Sequence, residues 1–194
     1  MTDFTKIEYL NKGNSIQTAI YLLLVRHRLL DLLVDYNPVF VGTIPIGINV
    51  AGSDLDIICE VYDFERFEKD VTKLFSKYER FVLNSSQSSD ASVLTANFDC
   101  EGWPVEIYGQ SVPSTEQNGF KHMVIEDRLL RLFGTSFRNR IVSMKMAGLK
   151  TEPAFAQALN LPGDPYAALL ELYHWTDDSL MALIRGGTRN DRLD

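Results

Sequence analysis

The sequence predicts an α+β protein with a mixed β-sheet, flanking helices and a helical C-terminal half. Short apolar runs typical of strands are confined to the stretch between residues 39 and 108. One segment before that stretch and one within it have apolar residues at helical spacing, which supplies the flanking helices. From residue 116 onward the spacing is helical throughout. We therefore expect strands in the first part of the chain and helices alone in the second.

The first helical pattern has a cap at Asn14 or Ser15 and ends before Asn37-Pro38. Asp63 is the predicted cap of the second helix, whose buried stripe is rich in phenylalanine. The helices are predicted at residues 14–35, 63–78, 116–133, 136–149 and 153–159, with one or two more between 165 and 184.

The strand predictions depend on β-branched and aromatic residues between turn signals. They lie at residues 39–41, 54–62, 81–83, 92–98 and 104–108. The polar run 84–90 has the composition of a loop. In the last strand, Val105 and Ile107 should pack on one face of the sheet while Glu106 and Tyr108 point to the other.

A chain of 194 residues with 45% hydrophobic residues is long enough for one substantial core and too short to require two domains. We predict a single domain over residues 1–194. Within it, residues 1–112 should form the α/β core, 113–185 the helical part and 186–194 a flexible tail. No segment approaches the ~20 apolar residues of a membrane span, and the N-terminus lacks the regions of a secretory signal.

The cysteine content and the net charge restrict the redox environment of the protein and the classes of partner it can bind. The only cysteines, Cys59 and Cys100, are typical of two reduced buried thiols in a cytoplasmic protein. A disulfide between them is the alternative. A net charge of −7 argues against non-specific nucleic-acid binding and favours a small-molecule or protein substrate. A tRNA-sized partner is not excluded, because residues 128–150 concentrate positive charge. The simpler interpretation of that segment is the solvated faces of two helices.

A glycine turn is followed closely by two acidic residues. Gly42 ends the apolar run 39–41 with a residue free to adopt backbone angles that others cannot, and such a turn can present N–H groups to an anion. Asp54 and Asp56 lie two apart on the next strand, so both point to one face with Cα atoms ~6.6 Å apart. Carboxylates at that spacing can bind Mg²⁺.

These residues resemble the signature of the nucleotidyltransferase superfamily, which has the polymerase-β-like fold. The match consists of Gly42-Thr43, a linker of ten residues and Asp54-Leu55-Asp56. Where the superfamily usually has Gly-Ser, Gly-Thr keeps a hydroxyl group. Four further motifs resemble an uncharacterised bacterial family within the superfamily: Gly13-Asn14-x-x-Gln17, residues 117–123 with Glu126 and Arg128, residues 150–155, and Gly163-Asp-Pro-Tyr166.

The resemblance implies a metal site and a phosphate site. Asp54 and Asp56 would bind one or two Mg²⁺ or Mn²⁺ ions, with Glu106 from a neighbouring strand as the third ligand. The Gly42-Thr43 turn, together with Ser53, would hold the phosphates of a nucleoside triphosphate. An unidentified acceptor hydroxyl would then attack the α phosphate, and the residues that bind metal would also be catalytic.

Nucleotidyl transfer also needs positive charge beside the triphosphate, for which no spacing selects a single residue. Lys121, Arg128 and Lys145 are the candidates, and His122 is a further candidate for contact with the substrate. His122 is equally interpretable as a hydrogen-bonded histidine in a helix packing layer. The helical half from residue 116 onward would select the acceptor.

Several alternatives stay open. Asp54 and Asp56 could be the acidic face of an edge strand, and Glu106 could be an ordinary exposed glutamate. The whole chain could be a non-catalytic, nucleotide-sensing or antitoxin-like module that binds a nucleotide or a partner protein. It could also be a hydrolase that uses the same metals with water as the acceptor.

Overall fold

The computed structural model describes residues 2–87 and 92–187. The chain divides into two compact units, the first comprising residues 1–47 and 52–120 and the second residues 48–51 and 121–194. The single domain with a boundary at residue 112 stays a prediction. Residues 186 and 187 end the last helix, and the rest of the predicted tail lies outside the described residues.

The first helix is shorter than predicted. Helix α1 spans Ser15–His27 and is capped by Asn14, whose side-chain oxygen accepts a hydrogen bond from the Gln17 amide. Arg28 ends the helix because it adopts a left-handed φ of 54°. The apolar spacing continues beyond this break into a 3-10 helix over Asp31–Tyr36, which is why the pattern predicts one long helix.

Five strands form one mixed sheet in the order β1-β2-β5-β4-β3, which confirms the predicted fold class. The central pair, β2 and β5, is parallel, and every other neighbouring pair is antiparallel. The strands are β1 Val39–Val41, β2 Leu55–Glu60, β3 Glu79–Gln87, β4 Ser92–Cys100 and β5 Trp103–Gln110. Helix α2, Phe64–Phe75, connects β2 to β3 and is capped by Asp63 as predicted.

The loop predicted at residues 84–90 is wrong for its first four residues. Strand β3 continues to Gln87 because residues 84–87 pair with residues 92–95 of β4 in an antiparallel hairpin. Cross-strand pairing therefore overrides the polar composition. Residues 88–90 lie outside the described part of the chain.

The two faces of the sheet have opposite character. Leu55 and Ile57 of β2, with Val105 and Ile107 of β5, are fully or almost fully buried in one hydrophobic core that includes side chains of α1 and α2. Among the alternate residues, Asp56 and Glu106 are only half-buried, whereas Ile58 of β2 is buried. This alternation confirms the two faces predicted for β5 and gives the sheet a polar face.

The second part of the chain is helical, as predicted. Helix α3 spans Asn118–Met146 and is broken at Gly134, whose φ is 74°. The remaining helices are α4 Thr151–Leu159, α5 Pro165–Tyr173 and α6 Asp177–Gly187. No helix among the described residues is long and apolar enough to cross a membrane. Cys59 and Cys100 are both buried and free.

Candidate functional site

The polar face of the sheet brings carboxylates from two strands together. Asp56 of β2 pairs directly with Glu106 of β5 in the parallel register. Asp54 precedes β2 by one residue and lies two residues from Asp56, which is the spacing of side chains on one face of a strand. Asp54 is exposed, whereas Asp56 and Glu106 are half-buried. All three carboxylates predicted to bind metal therefore belong to the first unit.

The electrostatics of Glu106 show that these carboxylates influence one another. Burial raises the pKa of Glu106 above its usual value, and the negative charge of Asp54 raises it further. A divalent cation at this position would reverse the second effect, because an opposite charge favours the ionised carboxylate.

The predicted phosphate turn touches one of these carboxylates. Gly42 has a φ of 88°, a conformation that side-chain-bearing residues rarely adopt. A Cβ atom at Gly42 would overlap the Oδ2 atom of Asp56. Val41, immediately before Gly42, pairs with Asp56 across the sheet. Glycine is therefore required here both for its backbone angle and for the close approach of the Asp56 carboxylate.

The two hydroxyl residues predicted to contact phosphate also lie together. The Thr43 Oγ1 atom donates a hydrogen bond to the Ser53 Oγ atom at 3.4 Å. Both residues are half-buried. This contact links the turn after β1 to the segment before β2, so the structure brings Gly42, Thr43, Ser53 and Asp56 into one continuous set of contacts.

Gln17 also belongs to this region, although the sequence suggested only that it was part of a family motif. Its Nε2 atom donates hydrogen bonds to the Ile44 carbonyl at 2.9 Å and to the Pro45 carbonyl at 3.0 Å. Its Oε1 atom accepts from the Asn14 amide at 3.0 Å. The spacing of Asn14 and Gln17 is that of a capping box, which is visible in a sequence, whereas the bonds to the loop are not.

The carboxylates match a hard divalent cation in chemistry. Oxygen ligands from aspartate and glutamate are those that Mg²⁺ prefers, and it is commonly held by one or two carboxylates and completed by water and substrate phosphates. Within residues 2–87 and 92–187, no group of three or more His, Cys, Asp or Glu side chains is already arranged to hold a metal ion. Metal binding by Asp54, Asp56 and Glu106 together therefore stays a prediction.

The four residues predicted to contact the substrate lie in the second unit, whereas the residues predicted to bind metal or phosphate lie in the first. His122 is 8% exposed and its Nε2 atom donates to the Tyr166 carbonyl at 3.0 Å, while its Nδ1 atom lies 3.5 Å from a Glu152 oxygen. Lys145 is equally buried and donates to Thr151 Oγ1 at 2.6 Å. Both side chains are thus engaged in packing between helices of their own unit.

Arg128 is engaged in a similar way. Its guanidinium donates to the carbonyls of Tyr173 and Trp175, at 3.1 and 2.8 Å, and to the Asp177 carboxylate at 2.7 Å. These contacts connect α3 to the segment between α5 and α6. Lys121 is half-buried. Substrate contact by any of the four stays a prediction.

The second unit also contains a buried carboxylate that the sequence suggested only as part of a family motif. Glu126 is 3% exposed and its Oε1 atom has no hydrogen-bond partner among the described residues. Burial raises its pKa well above the usual value, as does Glu152, whereas the charge of Lys145 lowers it. This carboxyl therefore keeps its proton to a higher pH than an exposed glutamate would.

Three solved structures resemble this fold. A Cid1 poly(U) polymerase with MgGTP bound has a TM-score of 0.53 and 13% identity over 81% of this chain and 54% of that chain. A Cid1 structure described for its RNA terminal uridylyl transferase activity has a TM-score of 0.53 and 13% identity, covering 81% and 53%. A third Cid1 poly(U) polymerase structure has a TM-score of 0.51 and 15% identity, covering 81% and 52%.

At these identities the likeness shows the fold, which is that of the nucleotidyltransferases. The chain spans about half the length of each of these structures. No curated protein matches the sequence. The family model described as "Domain of unknown function (DUF4269)" matches residues 23–172. Because this match covers more than half of the chain, the protein belongs to the DUF4269 family.

Proposed function

We propose that the protein is a divalent-metal-dependent nucleotidyltransferase that moves a nucleoside monophosphate from a nucleoside triphosphate to an acceptor hydroxyl. The observation that carries the proposal is the contact between Gly42 and Asp56. This contact joins the turn, which is suited to binding an anion, to the carboxylates, which are suited to binding a cation, in one site. The shared fold with a polymerase that binds MgGTP supports the same chemistry.

The charges of the site explain why a cation is needed. A triphosphate approaching Asp54, Asp56 and Glu106 would be repelled, since all carry negative charge when ionised. Mg²⁺ or Mn²⁺, held by these carboxylates and by phosphate oxygens, would supply charge neutralisation and acidify the attacking hydroxyl. The pairing of Glu106 with Asp56 on neighbouring strands supports its assignment as the third ligand.

The turn residues have a separate role in the proposal. Gly42 allows the chain to approach phosphate oxygens closely, and Thr43 and Ser53 offer hydroxyl groups that can donate hydrogen bonds to them. These contacts would hold the β and γ phosphates. The α phosphate would then be left in line for attack, which is the positioning on which phosphoryl transfer chemistry mainly depends.

The proposed reaction forms one bond and breaks one bond. The acceptor oxygen bonds to the α phosphorus while the bond from that phosphorus to the oxygen bridging to the β phosphate breaks. Pyrophosphate leaves with the bonding electrons, and the proton of the acceptor hydroxyl passes to Asp56 or Glu106. Asp56 and Glu106 pair on neighbouring strands, so both are candidates to receive that proton.

The test uses each of the four ribonucleoside triphosphates, labelled on the α phosphate, with Mg²⁺ and fractionated cell extract as the source of acceptors. The proposal predicts that label from one nucleotide moves to one class of acceptor and that pyrophosphate is released in equal amount. Release of labelled monophosphate without an acceptor would identify a hydrolase. Binding without any product would identify a non-catalytic module, and either result would overturn the proposal.

A further inference from the structure

We infer that Gln17 is a positioning residue for the phosphate turn. This inference rests on the proposed function, because it assigns the turn after Gly42 to the phosphates of the nucleotide. Gln17 does not itself touch the proposed substrate. It acts through the backbone of Ile44 and Pro45, which directly follow the turn.

The amide group of Gln17 makes two kinds of contact at once. Its Oε1 atom closes the capping box by accepting from the Asn14 amide, while the Gln17 backbone amide donates to the Asn14 side chain. Its Nε2 atom donates to two successive carbonyls, of Ile44 and Pro45. A residue that served only as a cap would need no donor, so the second pair of bonds calls for a separate explanation.

Control of carbonyl direction provides that explanation. A turn that binds an anion must present N–H groups to it and keep its carbonyl oxygens, which carry partial negative charge, turned away. Gln17 holds two carbonyls of the loop toward the start of α1. The Ile44 carbonyl also accepts from the Gly47 amide at 3.0 Å, which closes the loop on itself. Gln17 thereby fixes the orientation of the peptide groups that follow Gly42.

The residue before the helix is shaped to admit this side chain. A Cβ atom on Gly13 would overlap the Oε1 atom of Gln17. The backbone of Gly13 has a φ of −87°, which any residue can adopt, so glycine is not needed there for its flexibility. Space for Gln17 is the remaining reason. The motif Gly13-Asn14-x-x-Gln17 is thus a device for holding a loop as well as for starting a helix.

The two contacts can be separated by a matched pair of variants. Gln17→Glu keeps an acceptor for the Asn14 amide, since glutamate serves as well in a capping box, but it removes the donor and places a negative charge beside two carbonyls. Asn14→Ala removes the side-chain cap and leaves the Gln17 donor in place. Gly13→Ala displaces Gln17 by steric overlap alone and provides a third variant.

The first measurement needs no nucleotide. Hydrogen exchange of the backbone amides in residues 42–47 should be about tenfold faster in Gln17→Glu and in Gly13→Ala than in the natural protein, because loss of the two bonds frees the loop. In Asn14→Ala, exchange in the same residues should stay within about twofold. Equal exchange in Gln17→Glu and the natural protein would overturn the inference whatever the protein binds.

The second measurement is calorimetric binding of inorganic tripolyphosphate and of the four nucleoside triphosphates, each with Mg²⁺. Gln17→Glu should weaken binding by about tenfold while nucleoside monophosphate binding is unchanged, because only the β and γ phosphates would contact the turn. If the natural protein binds a triphosphate and Gln17→Glu binds it equally well, the inference alone is wrong. If the natural protein binds none of these ligands, the proposed function fails, and the positioning role fails with it.

Discussion

Two glutamates with raised pKa values, one in each unit, differ in what surrounds them. Glu106 is half-buried on the polar face of the sheet, and both burial and the Asp54 charge raise its pKa. Glu126 is 3% exposed, and although burial and Glu152 raise its pKa, Lys145 opposes them. The first carboxylate is half-exposed and has a like charge near it, whereas the second is enclosed and has both a like charge and a cation near it.

The difference shows that a raised glutamate pKa can arise at a ligand-accessible site or inside a packed helical core. A perturbed pKa indicates a functional residue only when the group can also meet a ligand. Glu106 satisfies that condition because it pairs with Asp56, which itself touches the glycine turn. Glu126 does not, and its surroundings are typical of a buried network that specifies helix packing. We therefore propose a chemical role for the first region and a structural role for the second.

The largest expected effect comes from removing a carboxylate of the first region. Asp56→Asn should reduce nucleotidyl transfer by at least ~100-fold, because even outer groups around a metal site commonly contribute 10–100-fold. The folded state should persist, since no core side chain is changed. A steady-state rate assay together with circular dichroism measures both quantities.

Glu60→Gln is the matched control for that variant. Glu60 lies on the same strand at an even spacing from Asp56 and is also half-buried, yet it is not among the carboxylates near the turn. Its transfer rate should stay within about twofold of the natural value. Equal losses in the two variants would mean that acidity of the strand in general, and not the Asp56 position, is what matters.

Gly42→Ala tests the contact that joins the turn to the carboxylates. The positive φ alone should cost about 1–2 kcal/mol of unfolding free energy, and displacement of Asp56 should add a loss of metal-dependent nucleotide binding. Gly102→Ala is the control, since Gly102 has a φ of 81° and open space where the Cβ atom would lie. Urea unfolding and nucleotide titration should show a stability loss in both variants but a binding loss only in Gly42→Ala.

Glu106→Gln should change how stability depends on pH. A carboxyl whose folded pKa is raised above its unfolded value destabilises the fold as pH rises through the folded pKa, because the folded protein then has to ionise it. The variant should therefore melt at a higher temperature than the natural protein at pH 7. The difference should vanish below about pH 3, where the carboxyl is protonated in both states. A lower melting temperature at pH 7 would show that Glu106 is already paired with a cation in the folded protein.

Glu126→Gln should have the smallest effect on function. Because the Glu126 pKa is raised well above the usual value, its contribution to stability is present at low pH and declines as pH rises through that pKa. The variant should lose less stability than the natural protein between pH 5 and pH 9 in thermal melts. Its nucleotide-dependent stabilisation should be unchanged, and any loss of that stabilisation would remove the distinction between the two regions.

Local patterns were enough to predict the elements that carry the site. The alternation around Val105 and Ile107 placed Glu106 on the polar face, and Asn14 was one of two candidate caps, with Ser15, on residue type. Gly42 and Asp56 were paired through a family resemblance. Each of these features depends on a few neighbouring residues or on a short motif, which a single sequence displays.

The features that could not be predicted from the sequence depend mainly on contacts between residues far apart in the chain. The register that sets Asp56 opposite Glu106 depends on strands separated by a helix and a hairpin, and no local pattern encodes it. The bonds from Gln17 to Ile44 and Pro45 join positions that are far apart in the chain. Arg28 ends α1 in a left-handed conformation. Arginine is not a residue type that indicates such a conformation, so the helix was predicted too long.

The most direct test of the central claim is thermal unfolding with each nucleoside triphosphate, with and without Mg²⁺ or Mn²⁺. The natural protein and the double variant Asp54→Asn/Asp56→Asn would be compared. We expect one nucleotide to stabilise the natural protein by ~2.7 kcal/mol at a hundredfold excess over its dissociation constant. That stabilisation should require the metal and disappear in the double variant. Stabilisation that is independent of metal, or equal in the two proteins, would contradict the assignment of these carboxylates.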